Sequence, residues 1–326
     1  MRILITGGSG FIGTNLIEAL LRQGHTVLSA DAAGPRNPVH APIWRKLDLC
    51  DRTGMLALVQ DFGPEVVYHL GARTDLHGST PADYAANTDG VRNLIAAIQQ
   101  TGGVGKVFFA SSRMVCRIGY QPKADDDTCP PNAYGESKVE TEKIVRAANL
   151  DATWCLFRPT SIWGPWFGVP YKDFFMTVAR GRYVHPRGRR IRKSFGYIGN
   201  SVHQLCALLT APEALYHRQT FYLADPPLEV LEWARLISAE LGRSPPREIP
   251  MAVLKLIAAA GDAAKALGYK EPPLTRFRLD NLCTEMVHDT HLIERIAGPG
   301  PFSLSDGVRE TVAWLRSADG GVPGGG

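Results

Sequence analysis

The chain has 326 residues, 44% of them hydrophobic and 21% charged, with 33 Gly and 23 Pro, which is the composition of a soluble globular protein with many turns. Its formal charge of +4 is concentrated in one tract (Arg187, Arg189, Arg190, Arg192, Lys193). That tract fits a small anionic ligand and excludes the broad basic face a nucleic-acid binder needs. Six cysteines lie scattered with no Cys-x-x-Cys pair and no His cluster, so neither a metal site nor a disulfide framework is expected.

Residues 3–6 form the first apolar run, directly after Met1-Arg2, with no signal-peptide pattern before it. Further strand-like runs fall at 25–31, 43–48, 66–70, 106–111 and 153–158, with helical periodicity at 11–23, 51–62, 83–101 and 132–148. This alternation predicts an α/β fold with a doubly wound parallel sheet built from right-handed βαβ units. Beyond Pro165 the pattern turns to aromatic, Gly, Pro and basic residues, then to helices near 201–211, 228–241, 251–266 and 306–316. Tyr197-Ile198 and Phe221–Leu223 read as strands returning to the sheet edge. The expected organisation is thus a dinucleotide-binding domain over 1–165 with return segments near 195–223. A smaller, interleaved substrate lobe would occupy 166–194 and 224–318, followed by a flexible tail at 319–326. Pro226-Pro227, Pro245-Pro246 and Pro272-Pro273 punctuate its loops. The most apolar helical stretch, 252–267, is interrupted by Lys255, Asp262 and Lys265 and is too short for a bilayer span, so a cytoplasmic protein without a membrane partner is expected.

Thr6-Gly7-Gly8-Ser9-Gly10-Phe11-Ile12-Gly13 follows a strand and opens a helix. Glycines there permit a tight turn, close backbone approach to a pyrophosphate and close helix–sheet packing, while the helix start offers free N–H donors. Gly7, Gly10, Phe11, Ile12 and Gly13 are therefore candidate cofactor contacts in a Rossmann-type site. Asp31 closes the second strand, where a carboxylate accepts hydrogen bonds from a ribose and repels a 2′-phosphate; NAD(H) is preferred over NADP(H), with Arg36 nearby as a possible phosphate ligand. Asp48 and Leu49 end the third strand at a position suited to adenine, although Asp48 or Asp51 serves equally as a helix N-cap.

Tyr134 and Lys138 stand four residues apart, on one face of a helix that begins after Pro130-Pro131. A nearby ammonium stabilises a phenolate and lowers the phenol pKa towards working pH, and the lysine can also hold a ribose. The strand ending in Ser111-Ser112 precedes this helix and supplies a hydroxyl.

Taken in order, Thr6–Gly13, His69-Leu70-Gly71-Ala72, Asn87-x-x-Gly90-x-x-Asn93-Leu94, Ser111-Ser112, Tyr134/Lys138 and Arg158-Pro159 through Gly164-Pro165 resemble the motif set of the extended short-chain dehydrogenase/reductases. Within them the chain is most similar to the NAD-dependent nucleotide-sugar epimerases and dehydratases, and Ser303 to Leu315 resembles their final helix. The resemblance spans essentially the whole chain. It implies that Tyr134 is the acid/base, Lys138 its electrostatic partner and ribose ligand, and Ser112, rather than Ser111, the hydroxyl that bonds the reacting sugar oxygen. Leu70 and Ala72 would line the cofactor site, with Asn87 beside it supporting the active-site strands and Thr74 near the sugar. The tract 181–193 would grip a nucleotide diphosphate through Arg192 and Lys193, with Arg276 or Arg278 as a second clamp.

Several positions depart from the family pattern. Arg113-Met114 stand where the dehydratases carry an Asp-Glu pair, and Met114 where the 3,5-epimerising relatives carry Cys. Cys116 replaces a tyrosine and reads as packing. Ser161 occupies the place of an Asn that contacts the diphosphate, and Asn200 that of an Asp. The expected function is an NAD-dependent nucleotide-sugar epimerase, with a 4-ketosugar reductase as the nearest rival and a hydroxysteroid- or flavonoid-type reductase or a non-catalytic NAD(H)-binding regulator behind it. A homodimer through the helices at 83–101 and 132–148 is expected.

Overall fold

The computed structural model describes residues 1–269 and 274–317. Both Pro272-Pro273 and the tail at 319–326 lie outside the described residues.

Seven parallel strands form the central sheet: β1 (Arg2–Thr6), β2 (Thr26–Asp31), β3 (Trp44–Lys46), β4 (Val66–His69), β5 (Lys106–Ala110), β6 (Thr153–Pro159) and, much later, β11 (Thr220–Leu223). Their order across the sheet is β11-β6-β5-β4-β1-β2-β3. The order reverses between β1 and β4, and a crevice at the carboxyl ends of the strands at such a switch point is where ligands bind in doubly wound folds. Ile3, Leu4 and Ile5 are fully buried, as are Val67, Tyr68, Val107, Phe108 and Phe109, because helices cover both faces of the sheet.

The crossovers are α1 (Phe11–Arg22), α2 (Arg52–Phe62), α3 (Ala85–Thr101) and α4 (Ala133–Ala147). Local chemistry sets their ends. The Asp51 carboxylate caps α2 by accepting from Gly54 N at 2.9 Å, and Asn132 caps α4 by accepting from Gly135 N at 2.9 Å. One hydrophobic core packs α2 and α3 against Leu4, Val67 and Val107. A second, larger one runs from α1 and the opposite face of the sheet through Phe157 into the second lobe, ending on Trp163, Phe175 and Trp233.

That lobe contains short strand pairs and helices. β7 (Ser161–Trp163) pairs in parallel with β10 (Phe195–Tyr197), β8 (Val184–Pro186) with β13 (Arg247–Ile249), and β9 (Arg192–Lys193) runs antiparallel to β12 (Leu228–Glu229). Its helices are α5 (Tyr171–Ala179), α6 (Ile198–Ala207), α7 (Val230–Glu240), α8 (Met251–Ala266), α9 (Arg276–Cys283), α10 (His291–Ala297) and α11 (Leu304–Arg316). Two expectations need correction. Tyr197 joins β7 rather than the main sheet, so only the 220–223 segment returns to the sheet edge, alongside β6. Helices α5, α9 and α10 escape the periodicity, being seven to nine residues long. No helix among the described residues is long and apolar enough to cross a membrane.

Candidate functional site

The turn from β1 into α1 is shaped by what its glycines exclude. Gly7 has φ +75°, and a Cβ there would sit 2.4 Å from Gly71 N; one on Gly13 would sit 2.4 Å from Gly7 O. The turn therefore lies flush against the end of β4 and closes on its own helix, which presents backbone N–H groups to the crevice. Beneath it, Thr6 Oγ1 and His69 Nδ1 are 2.7 Å apart and join β1 to β4 at the switch point. Burial pushes the His69 imidazole down to about 3, helped by the charge on Lys138, so it stays neutral.

Asp31 stands at the end of β2 with its carboxylate accepting from Ser9 N at 3.1 Å and Ala33 N at 3.0 Å. Arg36 donates from Nε to Ser9 O at 3.0 Å and from Nη1 to Trp166 O at 2.8 Å, tying the Gly-rich turn to the second lobe. Gly7, Gly10, Phe11, Ile12, Gly13, Asp31, Asp48, Leu49, Leu70, Ala72 and Thr74 all line one cavity of about 590 Å³. Asp51, not Asp48, takes the helix cap. Asn87 is placed behind the wall, not on it. Its Oδ1 accepts from Arg73 N at 2.8 Å and its Nδ2 donates to Arg73 O and Ser137 Oγ at 3.0 and 2.9 Å, so it braces the segment after β4 against α4.

Ser112, Tyr134 and Lys138 line the same cavity. A Cβ on Gly135 would meet Met114 O at 2.3 Å, so only glycine lets the turn after β5 approach the first turn of α4 this closely. Ser111 donates to Glu142 Oε1 at 2.6 Å, and the same carboxylate takes two bonds from the buried Arg158, each at 2.8 Å. The two serines are thereby distinguished: Ser111 is committed to the buried pair, whereas Ser112 Oγ accepts from Met114 N at 3.1 Å and also bonds the Tyr134 phenol. Tyr134, Lys138 and Glu142 share one helix face at four-residue spacing, a signal that would have picked out Glu142 from the sequence.

The electrostatics differ from the expected pairing. Burial pushes the Tyr134 phenol above its ordinary value; the hydrogen bond with Ser112 opposes this, Tyr84 reinforces it, and the positive charge pulling it down belongs to Arg113. Lys138 instead turns its Nζ to Ala110 O at 2.9 Å, and burial lowers it to about 8 against the pull of Glu142.

Of the residues expected on the substrate side, Thr74 and Ser112 line this cavity, and Ser161, Arg192, Lys193 and Arg278 do not. Ser161 Oγ accepts a short hydrogen bond from the Tyr171 phenol. Arg192, exposed, pairs with Glu285 at 3.1 Å. Lys193, buried, donates to Asn281 O at 2.7 Å and Thr284 O at 2.6 Å; burial and then the Arg113 charge lower it to about 8. Arg278 lies in the first turn of α9, and Arg276 pairs with Asp262 at 3.6 Å. Asn200 holds Phe302 N and O at 3.0 and 2.9 Å, anchoring the segment before α11. Cys116 is buried with its thiol pushed up by desolvation. Among the described residues no group of three or more His, Cys, Asp or Glu side chains converges as a metal site.

The sequence profile of the NAD dependent epimerase/dehydratase family matches residues 3–223. The chain belongs to that family. The NAD dependent epimerase/dehydratase profile thus covers the whole sheet, from β1 to β11. The chain is similar to the 3 beta-hydroxysteroid dehydrogenase/Delta 5→4-isomerase of Mycobacterium tuberculosis, 30% identical over 76% of this chain and 71% of that protein. It is also similar to N-acetyl-alpha-D-glucosaminyl-diphospho-ditrans,octacis-undecaprenol 4-epimerase of Escherichia coli O157:H7, 23% identical over 96% and 94% of the two chains. Among solved structures, the UDP-glucose 4-epimerase of Thermus thermophilus in complex with NAD superposes with a TM-score of 0.72 at 22% identity, covering 98% of this chain and 100% of that one. The cofactor of this family is NAD, and the cradle fits it: the turn is free of side chains where Cβ atoms would block close approach, and a carboxylate stands at the end of β2.

Proposed function

We propose that the protein is an NAD-dependent nucleotide-sugar epimerase that works at a secondary alcohol by transient oxidation. The observation that carries the reading is the continuity of one cavity, walled by the Gly-rich turn and Asp31 at one end and by Ser112, Tyr134 and Lys138 at the other. NAD, when bound, supplies a reversible hydride acceptor. Tyr134 takes the proton of the substrate hydroxyl and later returns it, Ser112 holds the reacting oxygen, and Lys138, fixed to Ala110 O, orients the ribose on the same helix face. Arg113-Met114 in place of an acid pair supports inversion over loss of water.

A second reading, a hydroxysteroid-type dehydrogenase, is favoured by one specific observation. Arg192 and Lys193, the donors assigned to a diphosphate, are already engaged by Glu285 and by two backbone carbonyls. The 30% identity to the mycobacterial enzyme points the same way. Incubating the NAD⁺-loaded protein with a panel of nucleotide sugars and with a 3β-hydroxysteroid, followed by NMR and absorbance at the NADH band, separates the two. The epimerase produces an epimer with only catalytic cofactor and no steady absorbance change. Stoichiometric NADH formation from the steroid, with every nucleotide sugar unchanged, overturns it.

A further inference from the structure

We propose that α8 and α9 form a membrane-docking face, and that the chain settles on an anionic lipid bilayer with the outward side of α8 at the headgroup boundary and basic side chains around it on the lipid phosphates. This stands apart from the reading of the reaction and is tested without a substrate.

One side of α8 is fixed by packing. Leu254 and Ala258 are buried and cluster with Leu279 of α9, and Gly261 continues that inward stripe at helical spacing. The remaining surface of the helix turns outward, and it is apolar too. Val253, Leu256, Ile257 and Ala260 share one face with Leu267, the residue that caps the helix; all five are exposed, Leu256 to 71% and Leu267 to 89%. Phe277, in the first turn of α9, adds a ring that is 74% exposed. Eleven large hydrophobic side chains stand exposed among the described residues, and six of them fall between Val253 and Phe277, so this is a patch and not the scatter of single residues that any surface shows. A surface helix turns its polar face to water, whereas the only polar side chains of α8 are Lys255, Asp262 and Lys265. The outward face of α8 is therefore built to be covered.

Charge decides what covers it. Lys255 and Lys265 are exposed at the margins of the patch, and Arg276 is exposed beside Phe277. The basic tract is brought to the same place by the pairing of β8 with β13. Arg187 N donates to Ile249 O at 2.9 Å and Arg187 Nη2 to Glu248 O at 3.3 Å, just before α8 begins at Met251. Arg187, Arg189 and Arg190 are exposed there, and none of them lines the cavity that holds Tyr134. Of the acids nearby, Glu248 is paired with Arg235 at 2.9 Å and Asp262 with Arg276 at 3.6 Å, which leaves Asp280 against a surplus of cations. A second copy docked through a twofold axis would lay this patch on itself and set cation against cation. An anionic bilayer satisfies both components, with apolar side chains below the headgroups and cations among the phosphates. At sixteen residues α8 is too short to span, so it lies along the surface; the charges that exclude a span suit a helix to the interface.

The test is flotation of the full chain with vesicles of phosphatidylcholine alone and of phosphatidylcholine mixed with phosphatidylglycerol, at low and at high ionic strength. Partition onto the anionic vesicles is expected to be at least roughly tenfold stronger and to fall as salt rises. Leu256→Gln combined with Phe277→Gln, at two exposed positions, should weaken that partition by at least roughly tenfold while NAD⁺ affinity and melting temperature stay at the wild-type values. Lys255→Glu combined with Lys265→Glu should abolish the preference for anionic lipid. If the double glutamine variant melts below wild type, the lysine pair decides, since these exposed side chains carry none of the packing of α8. No flotation, equal flotation on both vesicle types, or anionic binding that both double variants retain overturns the proposal. Sedimentation equilibrium supplies the remaining arm: self-association of the wild type that the double glutamine variant abolishes assigns the face to a second copy and overturns it as well.

Discussion

The two ends of the cavity are built on different principles. At the cofactor end the wall is mostly backbone: Gly7 and Gly13 allow contacts that any side chain would block, Asp31 is held by two main-chain N–H groups, and Arg36 is spent on Ser9 O and Trp166 O. At the other end the wall is side chains, with Ser112 placed by the turn after β5 and Tyr134 and Lys138 by α4. A shared cofactor and a private substrate call for that division, because a backbone cradle tolerates little variation and a side-chain wall tolerates much.

Four changes would break or sharpen this contrast, beginning with the largest. Tyr134→Phe, at the boundary, should lower turnover by roughly 10²–10⁴-fold while leaving NAD⁺ binding near wild type, since only proton transfer is lost; turnover within twofold of wild type would remove Tyr134 from its role. Glu142→Ala leaves Arg158 buried and uncompensated, and chemical denaturation should report a loss of about 3–5 kcal/mol. A loss below about 1 kcal/mol would mean that the pair is not what fixes β5, β6 and α4 together.

Asp225 gives a milder, pH-dependent effect where β11 meets the second lobe. Its carboxylate accepts from Tyr197 N at 2.7 Å, yet burial raises it from 3.8 to about 6. The folded protein therefore holds a proton that the unfolded chain has released, and stability from this group falls as pH rises from about 4 through 6. Asp225→Asn keeps an acceptor for Tyr197 N and removes the penalty, so melting at pH 8 should show a gain of about 3 kcal/mol that vanishes below pH 4. An unchanged pH profile would show that Asp225 is ionised at little cost in the fold. Arg192→Ala should matter least. An exposed arginine already paired with Glu285 is expected to change KM by less than about twofold, and a tenfold rise would place it on the substrate after all.

How far each end was legible in the sequence follows from the same contrast. The Gly-rich turn, Asp31, and the Tyr134–Lys138 spacing are local patterns, each contained in one strand–turn–helix unit, and the structure gathers them along one cavity. Arg192 and Lys193 are singled out by charge and by the family resemblance, and neither reveals that Glu285 and the carbonyls of Asn281 and Thr284 engage them. The strand expected at Tyr197-Ile198 falls at Phe195–Tyr197, and its neighbour was not foreseen: pairing with Ser161–Trp163 is a long-range choice that an apolar triplet does not encode.

The late return of β11 to the sheet has a consequence for the chain as it is synthesised. β6 exposes a free edge until Thr220–Leu223 arrives to pair with Leu156–Pro159. A nascent chain that has emerged only as far as Pro165 has its Gly-rich turn and α4, but one side of its sheet is an unpaired row of N–H and C=O groups, the feature that invites association with other chains. Some sixty further residues must leave the ribosome before that edge can be sealed. Chains stalled or truncated between β6 and β11 are thus the species that this architecture most exposes to aggregation and to chaperone capture.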